Sequence, residues 1–476
     1  MMIFNLNPLK AAVFQLYVLQ LDEYAIFRYL IKLPSVKRGR KQIKPLVWTS
    51  KVKSLFILSL FQVLIVSLIS SGLNLFIFIT FVYIGLELFF IPLTISVALL
   101  YPLDYFSKKY LISKAQAKIK RLKDLKIIAI AGSYGKTTFK EILYTILSEK
   151  YKVLKTPDSI NTPVGISRLI ISQLSNDYDV FIVEMGEYYR RDIKKLCDIT
   201  PPNIAVVTGI NEAHFERMKS LNNTIATIFE VVDYSRQNAL VVLNMSNKLV
   251  RENYKNHTKN KKVIFYGENT KSNIKAKDIT FNPEKLKLTF SLYDGRSLID
   301  NFSLSILARY LIDDIVGAVH VANTLNTPMA FIKKGIDNIT PIQFRLNPKY
   351  DVENDVVFID DTFNSNPEGV KEAIRILNEF KNRRKIYVTP GMAEAGQKSR
   401  EIHLKIAKIL SKTADLVILI DTSAAKFIKE GLKKNNFPDN KIKIFDHQQD
   451  VYDDMSNWSK SGDVILFQNI WPENYV

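Results

Sequence analysis

From Ser54 to Leu103 the chain is apolar throughout, with Glu87 as its only charged side chain. A bilayer core takes about 20 apolar residues per helix, so this stretch is too long for one span and suits two. Ser70-Ser71-Gly72, with Asn74 just beyond, supplies a turn. The pattern predicts helices over about 53–70 and 75–101, the second bent at Pro92. Upstream, residues 9–33 mix Leu, Val, Phe and Tyr with Asp22, Glu23, Arg28 and Lys32. That mixture fits a helix lying on a membrane surface and also a helix buried in protein.

After Lys126 the period changes. Short apolar runs at 127–131, 179–184, 204–208 and 239–243 alternate with helical stretches such as 137–150 and 187–197. This alternation predicts a parallel sheet with crossover helices. Residues 262–305 instead alternate apolar and polar positions, as in Lys285-Leu286-Lys287-Leu288-Thr289-Phe290, and turn at Tyr293-Asp294-Gly295-Arg296. They read as a small antiparallel insertion. A helical pair at about 309–339 follows, and Pro341 marks a boundary. A second alternating series then places strands at 355–360, 385–389, 415–420, 442–445 and 463–467, with helices at 367–381, 398–412 and 423–434. That series is a second doubly wound, Rossmann-like unit. The expected fold is α/β, with a membrane-associated N-terminal region over 1–120, a central domain over 121–340 and a C-terminal domain over 341–476.

The formal charge of +19 on 476 residues is concentrated beside the apolar stretch. Lys37, Arg38, Arg40, Lys41, Lys44, Lys51 and Lys53 precede it; Lys108, Lys109, Lys114, Lys118, Lys120 and Arg121 follow. Positive flanks on both sides predict a transmembrane hairpin in the inner (cytoplasmic) membrane, with the remaining domains in the cytosol and membrane lipid as a partner. The apolar region starts too far from the N-terminus for a cleavable signal peptide. No recognition motif accompanies the charge, so nucleic acid is not expected as a partner. A carboxylate inside a membrane is costly, which makes Glu87 either a functional group or one seated at a distorted or interfacial position. The single cysteine, Cys197, excludes an intrachain disulfide.

The sharpest chemical signal is Gly132-Ser133-Tyr134-Gly135-Lys136-Thr137-Thr138, which follows an apolar strand and opens a helix. Such a loop lets backbone N–H groups approach phosphate oxygens at a helix N-terminus. Lys136 reaches terminal phosphates, and Thr137 or Thr138 offers a hydroxyl to Mg²⁺. The bland alternative is a glycine turn with a solvated lysine. Glu184 ends a strand, where open parallel sheets bind ligands, and His214 follows another strand end. Asn161 and Thr162 lie in a polar, proline-bounded loop that binds substrate or merely connects. Asp361 and Asn364 sit between a strand and a helix, suited to a ribose hydroxyl and a base, or to capping the helix that starts at Pro367.

In combination these motifs resemble the Mur ligase family, most closely its D-alanyl-D-alanine-adding branch. The resemblance runs from about residue 120 onward through the 132–138 loop, Asn161-Thr162, Glu184-Met185-Gly186, Thr208 to His214, Leu243-Asn244, Arg345-Leu346, the 360–367 segment and Pro390 to Gly396. The apolar N-terminus and the ending Gln468 to Tyr475 are similar to a membrane-associated subgroup. The resemblance implies an ATP-dependent amide ligase that forms an acyl-phosphate on a cell-wall precursor. Lys136 and the loop amides of Gly132, Ser133 and Gly135 would hold ATP. Thr137, Glu184 and His214 would arrange Mg²⁺, with Lys136, Glu184 and His214 as the catalytic set. Arg345 and Asp361 would close the C-terminal domain on the nucleotide, Asn364 would join them in binding it, and Asn161 and Thr162 would meet substrate. The partners implied are a muropeptide or lipid-linked precursor and an amino acid or dipeptide amine.

Three departures accompany it. Ile228 stands where family members carry a carbamylated lysine that helps bind a second Mg²⁺. The adenine-contacting His-Asn-x-x-Asn segment reads Tyr310-Leu311-Ile312-Asp313-Asp314. Apolar spans occupy the place of a soluble UDP-sugar domain. Two alternative readings follow: a membrane ligase making a polyglutamate-like polymer, and a catalytically weakened nucleotide-binding scaffold of wall synthesis.

Overall fold

The computed structural model describes residues 7–22, 24–32, 46–157, 160–211, 218, 220–267, 270, 272–362, 367–392 and 398–470. It divides into two compact units, Met1–Leu111 and Ile112–Val476.

In the first unit the expected turn forms. Helix Ser50–Ser71 starts at Thr49, whose hydroxyl accepts from the Val52 amide, and ends at Gly72 with φ 52°. Helix Leu75–Glu87 starts at Asn74, whose side chain accepts from the Ile77 amide. The expected second span, 75–101, is not one bent helix. The chain breaks at Leu88–Phe89 and a new helix, Phe90–Arg121, begins. Pro92 lies in the first turn of that helix, where its missing N–H loses no intrahelical bond; it favours a start rather than a bend. Helix Ser50–Ser71, with 22 residues, is ~33 Å long at about 1.5 Å per residue. Leu75–Glu87, with 13, reaches only ~20 Å.

Two of these helices, Ser50–Ser71 and Phe90–Arg121, are long and apolar enough to cross a bilayer. Both expose large apolar side chains along their length, Ile69 and Leu99 among them. They are tied by polar contacts: Ser59 Oγ lies 2.8 Å from Ser96 Oγ, and Gln62 Nε2 donates to Ser96 Oγ at 2.9 Å. At the polar end Asp104 pairs with Lys51 at 3.0 Å and Lys108 at 2.7 Å. The expected surface helix over 9–33 is two helices, Pro8–Leu21 and Ile26–Lys32. The first buries Ala12, Leu16 and Leu19 against Val52, Leu55 and Phe89, so the buried alternative holds there. Glu87 is buried too, and its carbonyl accepts from Gln15 Nε2 at 2.8 Å. The basic residues 37–44 lie outside the described residues.

In the second unit a six-stranded, all-parallel sheet forms from β1 (Lys126–Ala131), β2 (Val153–Lys155), β3 (Val180–Glu184), β4 (Ile204–Val207), β5 (Leu240–Asn244) and β6 (Lys262–Tyr266). Its order is β2-β3-β1-β4-β5-β6. The near-continuous apolar runs reflect helices on both faces. In β1, Ile128 and Ile130 pack with Phe139, Ile142 and Ile146. Their neighbours Ile127, Ala129 and Ala131 pack on the other face with Ile166, Leu196 and Phe229. The chain leaves β1 toward β2 and β3 on one side and β4 on the other, so a crevice opens at the carboxyl end of β1.

The antiparallel insertion is shorter than expected. It comprises β7 (Ile274–Asn282), β8 (Lys287–Asp294) and β9 (Ser297–Leu304), while β6 joins the main sheet beside β5. Helices Tyr310–Thr324 and Met329–Asp337 follow. The last sheet runs β10 (Asn347–Asp351), β11 (Val356–Asp361), β15 (Asp463–Gln468), β12 (Arg384–Thr389), β13 (Leu416–Ile420), β14 (Ile442–Phe445). Only β10, an antiparallel edge strand, was absent from the expected series.

Candidate active site

At the carboxyl end of β1 the chain turns through Gly132–Gly135 into helix Lys136–Ser148. Gly135 caps that helix at φ 79°, a backbone state other residues rarely adopt. Gly132 faces the end of β4, and a Cβ there would lie 2.3 Å from Thr208 Oγ1. The Thr208 hydroxyl donates to Tyr134 O at 2.5 Å, and Ser133 N donates to Gly209 O at 2.7 Å. The loop is thus laced to the neighbouring strand. Gly132→Ala is expected to lower stability by about 2–3 kcal/mol through overpacking and strain. Gly295→Ala, also at positive φ but in open space, should cost only about 1 kcal/mol. Urea unfolding of the two variants checks the difference.

Four charged side chains meet behind this loop. Lys136 Nζ sits 3.1 and 3.0 Å from the two carboxylate oxygens of Glu187 and also donates to Gly132 O. Glu184 Oε2 accepts from Thr137 Oγ1 at 3.0 Å and from Lys140 Nζ at 3.1 Å. Lys140 is fully buried, with Glu141 as a second carboxylate at 3.7 Å. Asn161 Nδ2 lies 3.5 Å from Glu184 Oε1, and the Glu184 amide donates to Thr156 Oγ1 at 3.0 Å. Burial pushes the Glu187 carboxyl up to about 7 against the opposing pull of Lys136.

Lys136, Thr137 and Glu184, the residues expected at the nucleotide and Mg²⁺, lie together, and Asn161, expected at substrate, lies beside Glu184. Between the two threonines, Thr137 is the one beside Glu184. Thr138 is buried and lines a small cavity with Ile142, Tyr310, Leu311 and Arg345. Thr162 caps helix Pro163–Ser172, its hydroxyl accepting from the Gly165 amide. Asp361 does not present a free carboxylate: it accepts from Leu346 N at 3.2 Å and from Gln468 Nε2 at 2.6 Å. Tyr387 OH in turn donates to Gln468 Oε1 at 2.5 Å. Asp361 thus ties the entry into the last sheet to the end of β15. His214 and Asn364 lie outside the described residues.

Ile228 is fully buried in the apolar core on one face of the first sheet. Its neighbour Glu230 anchors the next helix, accepting from Arg191 N and Lys194 N at 3.0 Å each. That anchor explains why the helix expected over 187–197 begins only at Asp192. The Tyr310–Asp314 segment opens helix Tyr310–Thr324, and Asp313 accepts from Ser246 Oγ at 2.8 Å. Asp314 is buried, and burial with Asp313 nearby holds its carboxyl well above the usual range.

Sequence reasoning did not single out Glu187 or Lys140. Lys140 carried a signal, because it falls one helical turn after Lys136 and so on the same face. Glu187 carried none, since it meets Lys136 only through the pairing of β1 with β3.

The donor set can be tested against Mg²⁺. Mg²⁺ favours hard oxygens and commonly takes one or two from protein, the rest from phosphates and water. The Thr137 hydroxyl and the Glu184 carboxylate, 3.0 Å apart, fit that demand. Among the described residues no group of three or more His, Cys, Asp and Glu side chains could hold a metal alone.

The Mur ligase middle domain matches residues 130–322, and the Mur ligase glutamate ligase domain matches 345–468. UDP-N-acetylmuramoyl-tripeptide--D-alanyl-D-alanine ligase of Buchnera aphidicola subsp. Acyrthosiphon pisum (strain APS) is 28% identical over 291 residues, 61% of this chain. The chain spans 62% of the length of that relative. The Bacillus subtilis (strain 168) protein of the same name is 22% identical over 72% of each chain. The crystal structure of MurF ligase from Thermotoga maritima in complex with ADP superposes with a TM-score of 0.66 at 25% identity, covering 76% of this chain and 80% of that one.

Proposed function

This chain belongs to the Mur ligase family, and we propose that it is an ATP-dependent amide ligase joining a D-alanyl-D-alanine-type amine to a muropeptide carboxylate. The observation that carries this reading is the convergence of Lys136, Thr137 and Glu184 at the carboxyl end of the parallel sheet. The substrate class rests on the relatives' names.

In this reading a carboxylate oxygen of the muropeptide attacks the γ-phosphorus of ATP, and ADP leaves. The amine nitrogen then attacks the acyl carbon, phosphate departs and the ammonium proton passes to water or a base. Such chemistry depends mainly on placement and charge neutralisation. Lys136 neutralises phosphate charge at the helix N-terminus, with the loop backbone around it. Thr137 and Glu184 would hold Mg²⁺, which when bound screens the phosphate oxygens. Asn161 orients Glu184. Arg345, near the boundary cavity, and Asp361, which fixes Leu346, set how the last sheet meets the nucleotide side. The two apolar helices anchor the protein at a membrane, and the acceptor is presented there in lipid-linked form.

Phosphate release by detergent-solubilised protein tests this. Release is expected only when Mg²⁺-ATP, a muropeptide acceptor and D-alanyl-D-alanine are all present. No release with any amine sinks the ligase reading and favours the scaffold alternative, to which the buried Ile228 already lends weight. A lipid-linked acceptor is expected to turn over faster than soluble UDP-muramoyl peptide; equal or better use of the soluble form rejects that part.

A further inference from the structure

Lys136 is not waiting for phosphate with an open hand. Both carboxylate oxygens of Glu187 hold its ammonium, at 3.0 and 3.1 Å. The two side chains are 13% and 2% exposed, so the pair is largely out of water. The position of Glu187 is built into the turn. The Gly186 amide donates to Asn161 O at 3.1 Å, and a Cβ at Gly186 would come 2.7 Å from the Asn161 side chain. A side chain at 186 would press on Asn161, so glycine lets the two segments approach closely here.

We propose that Glu187 is a latch on the nucleotide site: its carboxylate occupies the Lys136 ammonium that the phosphates of the nucleotide need, and nucleotide binding breaks the pair. This rests on the reading of the 132–138 loop as the phosphate cradle.

The electrostatics follow from the groups present. Among the described residues the charges that bear most on Glu187 are Lys136, from the start of its helix, and Glu184, from the end of β3. Lys140 is committed to Glu184 and so compensates that carboxylate rather than Glu187. When phosphate takes Lys136, Glu187 is left as a buried carboxylate facing added negative charge. It relieves this by taking up a proton. The proton is easily gained near neutrality, because the paired carboxyl already titrates at about 7. Binding and proton uptake are therefore linked. Affinity falls as pH rises through the Glu187 range, and a neutral side chain at 187 removes that slope. The latched fraction of Lys136 also lowers apparent affinity in proportion to the competent fraction left.

Calorimetric titration of the full chain with Mg²⁺-ADP tests the latch without turnover. Glu187→Gln is expected to bind about tenfold more tightly than the parent at pH 8. Glu187→Asp, which keeps the charge but retracts it, should gain less than Glu187→Gln. Titrations in buffers of different ionisation heat should show proton uptake by the parent and none by Glu187→Gln. If the parent binds and Glu187→Gln binds equally or more weakly, Glu187 is a mere anchor for Lys136 and the latch is overturned. Absence of proton uptake in the parent overturns it as well, even should Glu187→Gln fail to fold. No binding by parent or variants overturns the phosphate-cradle reading itself, and the latch with it.

Discussion

Lys136→Ala is expected to lower kcat for phosphate release by about 10³-fold, the scale on which a lost phosphate-facing cation is felt. The fold should survive. A buried carboxylate deprived of its cation usually costs several kcal/mol. Here the deprived group is Glu187, whose carboxyl titrates at about 7 with Lys136 still beside it. Without the lysine it simply binds a proton at neutral pH, and the remaining cost is small. Thermal unfolding should therefore move by only a few degrees while turnover collapses. Retention of more than about a tenth of parental turnover would remove Lys136 from the phosphate. Collapse of folding together with turnover would mean that the Lys136–Glu187 pair is structural.

The two sheets were readable because their strands are buried on both faces. Ile127 to Ala131 is apolar at every position, and its alternate side chains fill two separate cores. The elements that were misread are those whose fate is decided by neighbours. β10, Asn347–Asp351, is polar and contains Pro348, which only an edge strand tolerates. β6 has the alternating look of the insertion that follows, yet its register with β5 places it in the parallel sheet. Pro92 was legible as a disruption but not as a helix start, because that distinction depends on the break at Leu88–Phe89.

The site divides along the same line. Lys136, Thr137 and Glu184 were legible because a glycine loop and a strand end fix where they stand. That their charges are answered inside the protein, by Glu187 and Lys140, was not. Lys136 and Glu187 are 51 positions apart, and no local pattern links them. Asp361 shows the converse: its strand-end position was correct, but Leu346 N and Gln468 Nε2 occupy its carboxylate. A carboxylate's place can be inferred from one segment; its commitments come from others.

Glu184→Ala should behave in the opposite way to Lys136→Ala, losing stability as well as turnover. It takes the carboxylate at 3.1 Å from Lys140, which is fully buried and has Glu141 at 3.7 Å. The expected loss is about 3 kcal/mol, the low end for breaking a buried ion pair because Glu141 remains. Pairing the change with Lys140→Met removes that ammonium as well. The double variant Glu184→Ala/Lys140→Met should regain most of the lost stability, since apolar replacement of both partners of a buried pair is often neutral. It should regain none of the turnover, because Thr137 still lacks its carboxylate partner for Mg²⁺. Urea unfolding and phosphate release, measured on the single and double variants, separate the two effects. Turnover restored in the double variant would show that Glu184 serves only to neutralise Lys140, and the metal-holding role assigned to it would fall.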